Sequence, residues 1–145
     1  KLQTTTSGSA VVMSAPGALT LGAMEYGACA AFHIRAVGAG VNVTMNAAYT
    51  ITGGALRHYD VEQGATLTAP SATVTLSGTF SFSSAFCYVQ LAGTMQAGFS
   101  TYSGGTITGK RYDISMNGAV SVGGGGASFF PGDSAGTTAN GGQYA

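Results

Sequence analysis

The chain has 145 residues, of which only 7% are charged, and its five basic and five acidic residues give a formal net charge of zero. This composition argues against nucleic acid as a partner, because neutralising phosphates requires clustered Lys and Arg. The length corresponds to one domain, and the absence of any apolar run of about 18 residues predicts no membrane span. Low charge together with 24 glycines is typical of extracellular or virion fibres rather than cytosolic enzymes.

Residues 1–30 are predicted to form a polar lead-in followed by a first coil. The opening Lys1–Thr6 has neither a signal-peptide pattern nor an initiator Met, so we expect a fragment or a processed product. Ala10–Met13 is a short apolar run, and Pro16–Gly17 marks a turn.

Two short strand-like phrases recur in alternation further along the chain. The first ends in glycines at positions 22, 53, 78 and 109, so its steps are 31, 25 and 31 residues. The second ends in glycines at positions 38, 64, 93 and 118, with steps of 26, 29 and 25 residues. Two interleaved phrases with one common period indicate the stacked coils of a parallel β-solenoid.

The solenoid coils are predicted over residues 31–122, with about four coils in total and almost no helix, because no segment has an apolar stripe of helical spacing. Matching positions in neighbouring coils lie about 4.7–4.9 Å apart, where small and β-branched side chains stack well. The expected inward ladder consists of Ile51, Leu76 and Ile107. The expected outward ladder beside it consists of Thr50, Thr75 and Thr106.

The two cysteines, Cys29 and Cys87, both lie in apolar sequence, which favours buried, reduced thiols over a disulfide between coils. Only His33 and His58 could join them as soft metal ligands, so no metal site is expected. The two histidines are expected to be exposed or hydrogen-bonded rather than catalytic. No cofactor is predicted.

Residues 123–145 change character and are rich in glycine. Such a segment cannot build a core of its own, so its large apolar side chains should be buried against a coil end or another subunit. These side chains are Phe129, Phe130 and Tyr144. We therefore predict a C-terminal cap or a trimer clasp.

This ending resembles the C-terminal segment of many phage and prophage tail proteins, in which the words Phe130–Gly132 and Gly141–Tyr144 also close the chain. Upstream, the segments His33–Ala36 and Tyr49–Ala55 also look like those proteins. The resemblance implies a tail fibre or tailspike, built as a homotrimer on right-handed parallel β-helices. It further implies a virion appendage, attached to upstream tail proteins, that meets the bacterial surface. It carries no catalytic motif that maps onto these residues.

An enzymatic function is one alternative, because glycoside hydrolysis typically needs two carboxylates at a set separation. Asp60 and Glu62 lie at i and i+2, on one face of a strand. Asp60 and Asp113 follow tyrosines in matching phrases two coils apart, which predicts a separation of about 9–10 Å. The catalytic candidates are therefore Asp60, Glu62 and Asp113. The other interpretation, which we favour, makes them solvated corner residues paired by Arg57 and Arg111.

Sugar binding without catalysis is the function that we favour for the surface of the solenoid. Tyrosines at matching positions would form a vertical aromatic stripe, with acids and an amide beside it to bind sugar hydroxyls. The predicted glycan-binding residues are Tyr59, Asp60, Tyr88, Gln90, Tyr112 and Asp113. The alternative is that the tyrosine rings pack between the subunits of a trimer. The sequence thus predicts a structural and receptor-recognition module that binds capsule or lipopolysaccharide, with a depolymerase fragment or a purely structural virion decoration protein as alternatives.

Overall fold

The computed structural model describes all residues 1–145 and is a parallel β-solenoid with three faces. Face 1 contains β1 (Val11–Met13), β4 (Phe32–Val37), β7 (Ala55–Glu62), the second half of β9 (Thr73–Val89), β12 (Tyr112–Ile114) and β14 (Thr137–Thr138). Face 2 contains β2 (Gly17–Leu21), β5 (Val41–Met45), β8 (Thr66–Thr68), β10 (Thr94–Gln96), β13 (Ala119–Ser121) and β15 (Gln143–Tyr144). Face 3 contains β3 (Glu25–Tyr26), β6 (Tyr49–Ile51), the first half of β9 and β11 (Thr101–Thr108).

The predicted all-β class, the parallel solenoid and the lack of helix are confirmed. The predicted number of coils is wrong, because six strands stack on face 1 and the chain makes about five turns rather than four. The additional rungs come from residues 123–145, which contribute β14 and β15 to the ladders of faces 1 and 2. No helix is long and apolar enough to cross a membrane.

Period-two alternation explains why the strands bury one side. In β5, Val41, Val43 and Met45 are buried, whereas Asn42 between them is exposed. This alternation turns every second side chain into the solenoid interior. Both cysteines also lie in this interior as free thiols, which confirms the expectation for Cys29 and Cys87.

Four of the eight glycines that close the repeated phrases lie where the chain packs on the backbone of the preceding coil, namely Gly53, Gly93, Gly109 and Gly118. A Cβ atom on Gly93 would lie 2.6 Å from the carbonyl oxygen of Val61, and one on Gly118 would lie 2.5 Å from that of Val89. Any larger residue would therefore push the coils apart. At these four positions glycine is required by this close approach between backbones.

The predicted inward ladder is correct for two of its three residues. Ile51 pairs with Leu76, but Leu76 pairs with Gly104, and Ile107 pairs with Phe80. The register shifts because β9 has two residues between Leu76 and Thr79, where β11 has only Gly105 between Gly104 and Thr106. The outward ladder is wrong at the same place, since Thr106 pairs with Thr79 rather than Thr75. All three predicted inward side chains are nevertheless buried.

We expect Gly105→Ala to lower the free energy of unfolding by about 1–3 kcal/mol, as inserted atoms in a well-packed region do. A Cβ atom there would clash with the carbonyl oxygen of Gly78 on the neighbouring strand, and backbone cannot move aside cheaply. Gly22→Ala is the matched control, because no atom lies within 4 Å of the added methyl. Urea denaturation of both variants measures the difference, and equal midpoints would contradict the close packing of β11 on β9.

Candidate functional site

The outer surface of face 1 carries a column of polar side chains. Asp60 pairs with Tyr88, and Tyr88 pairs with Asp113 on the next rung. On the rung before Asp60, Arg35 pairs with it, and on the rung after Asp113, Thr137 pairs with Asp113. The two aspartates thus occupy matching positions two rungs apart, as the repeated phrases predict.

The predicted stripe of Tyr59, Tyr88 and Tyr112 is wrong. Cys87, not Tyr88, pairs with both Tyr59 and Tyr112. A register difference of one residue turns a side chain to the other side of the sheet. Tyr59 is therefore fully buried and Tyr112 is 8% exposed, so neither ring can stack on a sugar. Tyr88 alone of the three lies on the outer surface.

Two arginines neutralise the acids at the centre of face 1. The Asp60 carboxylate has no exposed surface, and it forms ion pairs with Arg57 and, at 3.1 Å, with Arg35 Nε. The contact between Arg35 Nε and Asp60 Oδ2 lacks hydrogen-bond geometry, so it is an ion pair only. Arg35 Nη2 donates to Glu62 Oε2 at 3.1 Å, and Gln90 Nε2 donates to Glu62 Oε1 at 2.8 Å. Burial raises the pKa of Asp60, because loss of water outweighs the favourable charge of Arg57.

These pairs correct the expectation of solvated corner acids paired by Arg57 and Arg111. Arg57 is a partner as expected, but Asp60 is buried rather than solvated, and the partner of Asp113 is Lys110, at 2.9 Å. The structure therefore does not place two accessible carboxylates on either side of an open cleft. Such a cleft is what glycoside hydrolysis requires.

Aromatic rings cover the same network. The Arg57 guanidinium lies 3.4 Å from the Tyr88 ring centroid, and Phe32 lies 5.0 Å from the guanidinium of Arg35. The Tyr88 hydroxyl donates to Gln90 Oε1 at 2.6 Å. Each charged side chain of this network thus has a partner of opposite charge within the chain, although Arg35 Nε and Asp60 Oδ2 form no hydrogen bond. A ligand on face 1 would have to displace these contacts, so the arrangement favours a stabilising role.

A different feature opens on face 3. β11 is the outermost strand of this face, because the following coil has no strand there. Residues 123–131 make tight turns instead, with the Gly125 N–H donating to Val122 O and the Phe129 N–H donating to Gly126 O, both at 3.1 Å. One edge of β11 is consequently unpaired. A groove of about 430 Å³ lies between this strand and residues 128–132.

The groove has walls of mixed character. β11 contributes Tyr102, Ser103 and Thr106, and the facing segment contributes Phe129 and Pro131. The ring centroids of Tyr102 and Phe129 are 5.6 Å apart and nearly perpendicular. Side chains of Ser and Thr, aromatic edges and glycine backbone therefore border one space, an arrangement that suits a ligand with both hydroxyl groups and apolar faces.

No groove residue on β11 is among the glycan-binding residues predicted from the sequence. One signal for this site is present, because the first repeated phrase does not recur after Gly109. Its absence indicates that the coil after β11 lacks a strand on face 3. The run Gly123–Gly126 stands where that strand would be, and a polyglycine segment has little propensity to form one.

The three large apolar side chains of the C-terminal segment contact the chain's own last turns. Phe130 is fully buried, with its ring centroid 5.9 Å from that of Phe86. Tyr144 stacks on Tyr112 at 3.9 Å between centroids, and its hydroxyl donates to Gly126 O at 2.9 Å. These contacts offset the entropy that ordering a glycine-rich segment costs.

The solenoid interior contains a chain of hydrogen bonds that starts at two histidines. His33 Nε2 lies 2.9 Å from Gly27 O, and His33 Nδ1 lies 2.9 Å from His58 Nδ1. Because a carbonyl only accepts, Nε2 of His33 carries the proton and its Nδ1 accepts from His58. His58 Nε2 in turn accepts from the Tyr49 hydroxyl at 2.9 Å, and the Tyr59 hydroxyl donates to Tyr49.

Both imidazoles are neutral in this arrangement. Burial lowers the pKa of His33 to about 4, and burial also lowers the pKa of His58 well below its ordinary value. The same burial raises the pKa of Tyr59 to about 12, so this hydroxyl keeps its proton and donates. The histidines are therefore buried and hydrogen-bonded, one of the two situations expected. No group of three His, Cys, Asp or Glu side chains is placed to hold a metal ion.

Comparisons with protein-family models, with curated proteins and with solved structures find no match to this chain. The fold is compatible with the resemblance to tail fibres and tailspikes at the level of the β-solenoid. The function is therefore inferred from the geometry of the chain together with that resemblance.

Proposed function

We propose that this chain is a structural and receptor-recognition module of a phage tail fibre or tailspike, and that it binds polysaccharide on the bacterial surface, either capsule or lipopolysaccharide. The observation that carries this proposal is the groove on face 3. A sugar ring has apolar C–H faces and a rim of hydroxyl groups. The groove offers aromatic walls for the former and Ser and Thr hydroxyls for the latter.

The size of the groove also supports sugar binding. Small-ligand sites typically occupy about 300–1,000 Å³, and the groove volume of about 430 Å³ lies within that range. The site is built on β11, which pairs with β9 on both sides of the bulge opposite Gly105. A rigid strand holds the binding groups in place, so little entropy is lost on binding.

Of the residues predicted from the sequence to bind glycan, Tyr88, Gln90 and Asp113 remain candidates for a second contact, on face 1. All three lie on its outer surface, although each is already hydrogen-bonded within the chain. They would recognise a glycan only by exchanging those partners. The groove is therefore the principal site in this proposal.

The structural part of the proposal is a homotrimer of right-handed solenoids attached to upstream tail proteins in the virion. Strands of face 2 carry no charged residue. Copies of the chain could pack through this face without removing charges from water. In the same proposal residues 123–145 cap the solenoid, through Phe129, Phe130 and Tyr144.

Two measurements on one sample test this function. Light scattering is expected to give the mass of a trimer, and an array of bacterial surface glycans is expected to show binding without shortening of the polymer. A stable monomer at micromolar concentration would contradict the fibre assembly. Binding to no glycan would favour a purely structural decoration protein, and cleavage of the polymer would favour a depolymerase.

A further inference from the structure

The charge distribution around the groove determines which sugars it suits. None of the residues that line it carries a charge. The acid nearest to the lining residues in sequence is Asp133, which follows Gly132. Its carboxylate accepts one hydrogen bond from the Gly109 N–H at 2.8 Å and another from the Ser134 hydroxyl at 3.3 Å. This acid is thus already engaged by the backbone at the end of the groove. No lysine or arginine lines the groove, and the charge of Arg111, whose side chain lies beside Gly132, is opposed by the nearby carboxylate of Asp133.

A sugar with a carboxylate, phosphate or sulfate would therefore lose water in the groove without gaining a cation. An ionised group that is desolvated and left unpaired is strongly unfavourable. Neutral hydroxyls have no such penalty, because they can exchange hydrogen bonds with water for hydrogen bonds with Ser103, Thr106 and Ser128.

The unpaired edge of β11 adds backbone groups along one side of the groove. Residues 101–108 pair with β9 on one edge, and no strand pairs with the other. An unpaired strand edge presents a row of N–H and C=O groups. These groups are spaced along a line, so a linear ligand can contact several of them.

We propose that the groove between β11 and residues 128–132 binds an uncharged, extended segment of a surface polysaccharide. This inference rests on the proposed function and specifies its ligand class. The sugar rings lie against Tyr102, Phe129 and Pro131, and their hydroxyls contact the side chains and free edge of β11.

The test blocks the groove with a large side chain at an exposed position. Thr106→Trp fills the space beside β11, and Thr73→Trp places the same change on an exposed strand position of face 3 that does not line the groove. The probes are purified neutral and acidic bacterial polysaccharides. We expect neutral polymers to bind, Thr106→Trp to weaken that binding at least about tenfold, and Thr73→Trp to leave it within about twofold. Binding should also change little with salt, since no ion pair forms.

The failure of the inference can be distinguished from the failure of the proposed function. If the wild-type chain binds no polysaccharide, both are overturned. If it binds only acidic polymers, or if Thr106→Trp is folded and binds as tightly as wild type, the inference alone is overturned and face 1 becomes the site. If Thr106→Trp changes the particle mass but not glycan binding, another chain occupies the groove and the inference is overturned. Ser103→Trp replaces Thr106→Trp should the latter fail to fold.

Discussion

Phe130→Ala should lower the free energy of unfolding by about 3–5 kcal/mol, the usual cost of truncating a buried phenylalanine. The Phe130 ring has no exposed surface, and it packs against Phe86, Tyr102 and Phe129 with centroid distances of 5.9, 6.1 and 5.1 Å. Removing the ring leaves a cavity at the end of the aromatic interior. Urea denaturation followed by circular dichroism measures the effect.

Phe99→Ala is the matched control for this variant. Phe99 is 81% exposed, so its truncation should change stability by no more than about 0.5 kcal/mol. If the two variants have equal effects, residues 123–145 do not belong to the cooperative unit of the solenoid. Measuring the midpoint at two protein concentrations separates loss of subunit contact from loss of core packing, because only the former depends on concentration.

The solenoid could be predicted from the sequence because its corners constrain residue type. Gly93 and Gly118 are required where one coil contacts the backbone of the coil before it, so the period is visible as repeated glycine. The faces that the strands bury were predictable as well, since the Val41–Met45 alternation has a period of two.

Register was the part that could not be predicted. The distance from one coil to the next varies, with Tyr59 pairing with Ile34, 25 positions earlier, and with Cys87, 28 positions later. Aligning the tyrosines across coils ignored an offset of one residue between Tyr88 and the other two, so Tyr59 and Tyr112 were predicted on the outer surface although both are buried. The bulge opposite Gly105 could not be predicted from the sequence either, because an extra residue leaves the local alternation of each flanking segment intact.

The buried histidines were also outside what the sequence could specify. His33 and Ile34 are adjacent and both fully buried, as are His58 and Tyr59. Simple alternation would turn one member of each pair outward. Only the three-dimensional arrangement shows that each imidazole finds its partners inside the solenoid, so that burying it leaves no ring nitrogen unpaired.

The stability of the protein should decrease as the pH falls from about 6.5 to about 4. His33 has a pKa of about 4 in the folded chain, whereas an unfolded histidine has a pKa of about 6.5. Below the unfolded pKa the unfolded state binds more protons, so acid stabilises it relative to the folded state. A difference of about 2.5 pKa units corresponds to about 3 kcal/mol, and His58 contributes in the same direction because its pKa is lowered too.

The double variant His33→Gln/His58→Gln tests this origin of the acid sensitivity, since glutamine can donate and accept hydrogen bonds but does not titrate. Other groups titrate in the same range. Asp60, with its raised pKa, acts in the opposite sense, and Glu25 and Asp133, with lowered pKa values, act in the same sense as the histidines. These carboxyls are common to wild type and variant, so their contributions cancel when the two pH profiles of unfolding free energy are subtracted.

The double variant is expected to be less stable than wild type at pH 7. On going from pH 7 to pH 4, its free energy of unfolding should fall by at least about 3 kcal/mol less than that of wild type. Parallel profiles would show that the imidazoles accept protons in the folded solenoid, which is incompatible with His33 accepting a hydrogen bond from His58 in a dry interior.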